Sequence, residues 1–229
     1  MTISDLAADA VITISESLPD LTSLHIEGAT VEISADQNLT HLNLSADATL
    51  NLIDGATLTI AEGGQFDVEA STVNLDDGHL VISDTAAANF SEAHLIGTGD
   101  VQVAGTLDFD GALQPGTTNT PGNLRLATTA DSGSISLTGD WTMAIDVLTA
   151  ESADQIELSG NVILSDTGSV VVKTDTADLT DGTTLTGLVT LPESVEAPTT
   201  LATTATGQEV ETAWNESGLQ IDAGPAQRF

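Results

Sequence analysis

Asn51-Leu-Ile-Asp-Gly55 returns as Asn74-Leu-Asp-Asp-Gly78, at an offset of 23 along the chain. Around this echo run apolar pairs two residues apart: Leu42/Leu44, Leu50/Leu52, Leu58/Ile60, Phe66/Val68, Val73/Leu75 and Leu80/Ile82. That spacing puts both members of a pair on one side of a strand. Successive pairs begin seven or eight positions apart, so three of them fill one turn of the repeat. Aligning strand centres sets Asn43 over Asp67, Asn51 over Asn74 and Thr59 over Val81, at offsets of 24, 23 and 22. A near-constant period of this length marks a solenoid, whose repeats bury their apolar sides by stacking. The predicted fold is all-β: a parallel β-helix (β-solenoid) of about 22–24 residues per three-sided rung. An N-terminal cap and a C-terminal β-rich capping region complete it.

The regular body is expected over 24–113, punctuated by Gly28, Gly55, Gly63-Gly64 and Gly78. Glycine and Asx residues supply the positive φ that sharp corners need. A second echo, of Ile26-Glu-Gly-Ala-Thr-Val-Glu-Ile33 in Ile53-Asp-Gly-Ala-Thr-Leu-Thr-Ile60, has an offset of 27 and predicts a rung with a short insertion. Val101, Leu107 and Leu113 begin strands six apart, which predicts a narrower coil there. Residues 1–23 read as an N-terminal cap or exchanged strand: a short helix over 4–10, N-capped by Ser4 or Asp5, then a strand over 11–15. Such a segment either shields the open edge of a solenoid or recruits a neighbour. Residues 114–229 form a further β region and cap, with a loop bracketed by Pro115-Gly116 and Pro121-Gly122, a Thr-rich irregular excursion over 176–208, and a closing hairpin of 210–214 with 218–221.

Composition narrows the partners. The chain has 229 residues, 40% hydrophobic but only 3% aromatic, which suits the slender Leu, Ile and Val stacks of a coil interior. Its net charge is −32, and Arg125, Lys173 and Arg228 are the whole basic complement. Phosphate backbones and anionic membrane surfaces are repelled by such a chain, so nucleic acid is not an expected partner. The absence of cysteine removes disulfides and thiolate metal sites. Met1-Thr-Ile-Ser-Asp-Leu lacks the basic region and apolar run of a signal peptide. No apolar stretch approaches the roughly 20 residues of a membrane span.

The second half carries a family resemblance. Gly105-Thr-Leu-Asp-Phe-Asp-Gly-Ala-Leu-Gln-Pro-Gly116 is followed by Pro121-Gly-Asn-Leu124 and Ser152-Ala-Asp-Gln-Ile-Glu-Leu-Ser-Gly160. Leu179-Thr-Asp-Gly-Thr-Thr-Leu-Thr-Gly187 and Trp214-Asn-Glu-Ser-Gly-Leu219 come next. In order and spacing, residues 97–222 resemble the carboxy-terminal part of bacterial autotransporter-type passengers and related autotransporter-associated β-helix surface proteins. The resemblance implies an exported right-handed β-helix used for display, adhesion or surface structure. No translocator barrel or anchor helix is read beyond it, so self-secretion by that route is not expected.

Catalytic chemistry finds few residues to use. Polysaccharide lyases built on a parallel β-helix pair carboxylate-held Ca²⁺ with an Arg or Lys, and Arg125 and Lys173 are better read as solvated side chains on an acidic surface. Asp108 and Asp110, two apart on one strand face, fit the carboxylate spacing of a glycoside hydrolase, which chance also supplies among 35 acidic residues. His25, His41, His79 and His94 are 16, 38 and 15 apart, so no imidazole column and no transition-metal site is expected. No nucleophile elbow or phosphate-binding glycine pattern occurs. Trp141 and Trp214 read as packing residues before sugar platforms. The one ligand to consider is Ca²⁺, on the hard oxygens of Asp76, Asp77, Asp108 and Asp110. The plainer reading is that Asp-Gly makes corners, as the repeat of Asp54-Gly55 in Asp77-Gly78 indicates.

The function expected from these readings is that of a secreted, extracellular surface protein without enzymatic activity: a stiff acidic adhesin, filament subunit or biofilm-matrix component. It is expected to self-associate through its terminal edges and to meet surface glycans. The alternatives are a glycan- or receptor-binding phage fibre segment and a polysaccharide-active β-helix enzyme.

Overall fold

The computed structural model describes residues 1–3, 10–117, 120–149, 151–174, 179, 183–203 and 208–226. Among them there is no helix, and strands in parallel ladders make a β-solenoid. Its logic is visible in Thr49–Leu52, where Leu50 and Leu52 are fully buried while Thr49 and Asn51 look outward. One rung up, Leu50 sits over Val73 and Leu52 over Leu75. Each registers an apolar residue on an apolar residue, and a one-residue slip would turn the whole set to solvent.

Three ladders define three faces. The first runs through Ser23–Glu27, 41–45, 65–69, 87–91, 106–109, Ser134–Leu137 and Val162–Leu164. The second runs through Val11–Ile14, Thr30–Ile33, Thr49–Leu52, 72–75, 94–97, 112–113, 142–146, Ser169–Lys173 and Thr199–Thr203. The third runs through 37–39, 57–60, 79–82, 99–103, Asn123–Thr128, Gln155–Ser159 and Val189–Thr190. The three registers read from the sequence all hold: Asn43 pairs with Asp67, Asn51 with Asn74, and Thr59 with Val81. Between Ser23 and Ser134 the chain completes five turns of the first face. At about 4.8 Å per rung, the nine strands of the second face give a rod roughly 40 Å long.

Rung length is less uniform than the repeat implied. On the first face the steps from His41 to Gln65 and from Gln65 to Ala87 are 24 and 22, and they lie between shorter ones of 18 and 19. The narrowing expected near Val101, Leu107 and Leu113 holds for the last two, which pair with Ala88 and Leu95 at steps of 19 and 18, whereas Val101 pairs upward with Leu126 at a step of 25. The rung expected to hold an insertion is instead short: Thr30 pairs with Thr49, a step of 19. The two fragments look alike because both turn corners, at Gly28 with φ of 58° and at Gly55 with φ of 73°. Each tucks the next alanine, Ala29 or Ala56, into the core. They are different corners, so the likeness is not a register.

The ladders continue past residue 113. Thr106 pairs upward with Ser134 at a step of 28, and Asn123 with Gln155 at 32. The added residues bulge at the corners, including an antiparallel return in which Val147 faces Ala153. The interior is one continuous apolar column. Phe66 and Phe90 meet edge to face with centroids 5.0 Å apart, and Phe90 lies 5.8 Å from Phe109. Trp141 is fully buried at a corner, and its indole N–H donates to Ser165 Oγ at 3.1 Å. It offers no platform to a sugar, whereas Trp214 packs partly buried against the core.

Both ends are built by sequence-legible pieces. The closing hairpin is Gln208–Asn215 with Gly218–Ala226, in which Trp214 faces Leu219. Leu219 and Ile221 are buried, so the hairpin lies over the last rungs. At the other end Val11–Ile14 forms the expected strand and Ile3 pairs with Ile26. The helix expected over 4–10 falls on residues that, Ala10 apart, lie outside those described. Gln37, almost completely buried, fastens the first coil: its Nε2 donates to Glu16 O at 2.8 Å and to Ala35 O, and its Oε1 accepts the Leu18 N–H at 3.2 Å.

Candidate functional site

A solenoid presents its outward residues as columns, one per ladder position. On the first face a column reads His25, Asn43, Asp67, Asn89, Asp108 and Ser136. A second reads Glu27 and Ser45, then Glu69 and Ser91. Among the described parallel pairs no acidic residue is the register partner of another acidic residue. Like charges directly opposed across strands are destabilising, so this spacing lets a chain of net charge −32 stack at all. The neutral residues between are active partners: Asn89 Nδ2 and Gln65 Nε2 each donate to Asp67 Oδ1 at 3.0 Å.

The third face carries the opposite device. Its outward column is Thr57, His79, Asp100, Arg125, Glu157 and Thr190. His79 Nδ1 lies 3.3 Å from Asp100 Oδ2, and Arg125 Nε lies 3.4 Å from Glu157 Oε1. Arg125 thus stands between two carboxylates in adjacent rungs. The pairs are about half exposed, so each stabilises by about 1 kcal/mol at most. Lys173 is the register partner of Asp146. The two basic residues weighed for lyase chemistry therefore both sit across from carboxylates of this chain.

The carboxylates considered for Ca²⁺ are in two places. Asp76 and Asp77 form the exposed corner between the second and third faces, and Asp77 has φ of 61°. Asp108 looks outward on the first face and Asp110 lies one step on, at the register shift that leads to the second face, where Gly139 packs against its carboxylate. The concave surface nearest to them is lined by Glu92, His94, Asp110 and Asp140 and leaves Asp108 outside. Among the described residues, no group of three or more His, Asp or Glu side chains is arranged to hold a metal ion. His25, His41, His79 and His94 pair with Asn43, Ser23, Thr57 and Thr72 respectively, and none with another histidine.

One functional-looking group escaped the sequence reading. Asp154 is fully buried, its Oδ1 accepting the Gly122 N–H at 2.9 Å and its Oδ2 the Asp146 N–H at 3.1 Å. It ties the Pro-Gly loop before residue 123 to the strand Thr142–Thr149. Burial pushes its pKa up to about 6, against the two backbone bonds that hold it down, and the nearby Asp146 charge adds to the rise. The only sequence signal was its place in Ser152-Ala-Asp-Gln-Ile, one acidic residue among 35.

No helix among the described residues is long and apolar enough to cross a membrane. No family model matches the chain, and no curated protein is significantly similar to it.

Proposed function

We propose that this chain is a non-enzymatic structural or adhesive element of an extracellular surface: a stiff acidic β-solenoid that self-associates through its ends into filaments or matrix. The observation that carries the reading is the distribution of exposed large apolar side chains. Among the residues whose burial is described they are Met1, Val11 and Leu18 on the first coil and Ile163 on the last strand of the first face, between 40 and 58% exposed. Among the described residues the flanks between carry no other exposed large apolar side chain. Sideways contact therefore sets carboxylate columns against each other, while contact at an end buries apolar surface and pairs free strand edges.

The resemblance of residues 97–222 to autotransporter-type passengers supports display outside the cell. The ion pair of Arg125 with Glu157 and the register position of Lys173 opposite Asp146 support a scaffold over a polysaccharide-active enzyme. Val11–Ile14 has one ladder neighbour among the described residues, and Val11 is 49% exposed there. Sedimentation velocity from low to roughly molar salt tests the reading, since screening shortens the reach of the repulsion from about 30 Å to about 3 Å. Reversible growth in mass with salt, abolished by Val11→Asp, is the expected result. A monomer at every salt concentration overturns the self-association, and turnover of an acidic or neutral glycan overturns the non-enzymatic reading.

A further inference from the structure

Among the described residues, the far end of the solenoid is covered over its third face by the closing hairpin, while over its first face no further strand pairs with the last rung. On the third face the hairpin lies directly on the last rung: the Leu188 N–H donates to Leu219 O at 3.1 Å, and the backbone of Gly218 packs against Val189 O. Among the described residues, the last strand of the first face, Val162–Leu164, has its one ladder below, with 135–137. Ile135 donates to Asn161 O at 3.0 Å, and Ser165 donates to Leu137 O at 2.9 Å. In a parallel ladder alternate residues bond to opposite sides. The N–H and C=O groups of Val162 and Leu164 therefore point up, away from that ladder.

Residues 194–198 pass over this edge without pairing to it as a strand. Val195 turns back on itself instead, donating its N–H to Pro192 O at 3.0 Å. Between the edge and this segment lies a groove of about 570 Å³, lined among others by Val162, Ile163, Leu164, Asp166, Val195 and Glu196. Ile163 is 57% exposed in it. Among the described residues no Lys or Arg lines it.

We propose that this groove takes up an extended strand of a basic partner protein, added to the free edge of Val162–Leu164 by backbone hydrogen bonds. The edge supplies the donors and acceptors of strand addition. Val162 and Leu164 receive apolar side chains at alternate positions of the incoming strand. Asp166 and Glu196 at the rim select Lys or Arg near those positions. Charge complementarity decides the occupant of the groove: Val11–Ile14, the edge strand that a second copy would offer, carries no Lys or Arg to meet this acidic rim. A strand alternating Val with Lys satisfies both the edge and the rim.

The probe is an acetylated, amidated hexapeptide alternating Lys and Val, with its Glu-Val counterpart as control, added to the full chain in moderate salt. Amide exchange followed by NMR reads the site. The expected result is slowed exchange at Val162 and Leu164 with the Lys peptide alone, and affinity at least tenfold weaker for Leu164→Pro. That proline removes an upward N–H while sparing the bonds to 135–137, and edge strands tolerate it. If Leu164→Pro lowers the melting temperature, Asp166→Asn with Glu196→Gln provides the second variant, expected to weaken Lys-peptide binding and its salt dependence. Equal affinity for wild type and variants, or protection spread over the acidic flanks, overturns the proposal. Neither readout depends on self-association at the first coil.

Discussion

Asn74 Nδ2 donates to Asn51 Oδ1 at 3.3 Å, from one rung to the next. The same two residues anchor the repeat by which the fold is read, so the sequence echo is a physical contact. The contact also shows how the surface is arranged, with amides and hydroxyls where stacked carboxylates would repel.

Replacing both residues, Asn51→Asp with Asn74→Asp, creates the acid-on-acid register that the parallel ladders avoid. Urea titration at low salt should show a loss of about 1 kcal/mol, the upper end for opposed like charges on adjacent strands. Molar salt should restore most of it. Asn74→Asp alone should cost least, because its register partners Asn51 and Ile96 are neutral, whereas Asn51→Asp alone already sets a carboxylate opposite Glu32.

Two glycines separate crowding from backbone strain. A Cβ at Gly168 would collide with the Trp141 ring, whereas one at Gly55 meets nothing within 4 Å but must adopt φ of 73°. Gly168→Ala should cost about 3 kcal/mol or more through overpacking. Gly55→Ala should cost about 1–2 kcal/mol, from the left-handed conformation alone. Equal costs from chemical denaturation would contradict this account of the corner around Trp141.

Asp154 makes stability depend on pH in a direction opposite to that of a salt-bridged carboxylate. Its folded pKa of about 6 lies above the ordinary 3.8, so folding takes up a proton between those values. Stability from this group is therefore greatest below the lower value and falls as pH rises from there through about 6. Melting temperature should rise on acidification from pH 7 toward 5, and Asp154→Asn should flatten that rise. A profile for Asp154→Asn identical to wild type would remove Asp154 as its source.

The corners at Asp54-Gly55 and Asp76-Asp77-Gly78 are turns first. Asp54 and Asp77 both hold positive φ, at 57° and 61°, and the acidic candidates for Ca²⁺ fall into two separated places. Calcium should thus act on the melting temperature as a screening ion, without saturation, and EDTA should leave it unchanged. A saturable shift at low calcium that Asp76→Asn or Asp108→Asn removes would establish a site.

Legibility followed the corners. Where the step stayed between 22 and 24, the pairs of Leu, Ile and Val gave the register directly, down to Thr59 over Val81. The likeness of 26–33 to 53–60 misled because Gly28 and Gly55 solve the same steric problem at different corners. Beyond residue 113, loops and the return at Val147 and Ala153 lengthen the steps to between 27 and 33, which hides the period while the ladders persist. Asp154 stayed hidden because burial, not residue type, makes it unusual. The alternation of acidic and neutral residues emerges only once the register is known.

Small-angle X-ray scattering across a salt series tests the central claim, that a stiff acidic rod joins its neighbours at the ends. A constant cross-section is expected while length grows in steps of roughly 40 Å, nine strands at about 4.8 Å each. Growth in cross-section, or a monomer whose dimensions never change, would contradict it.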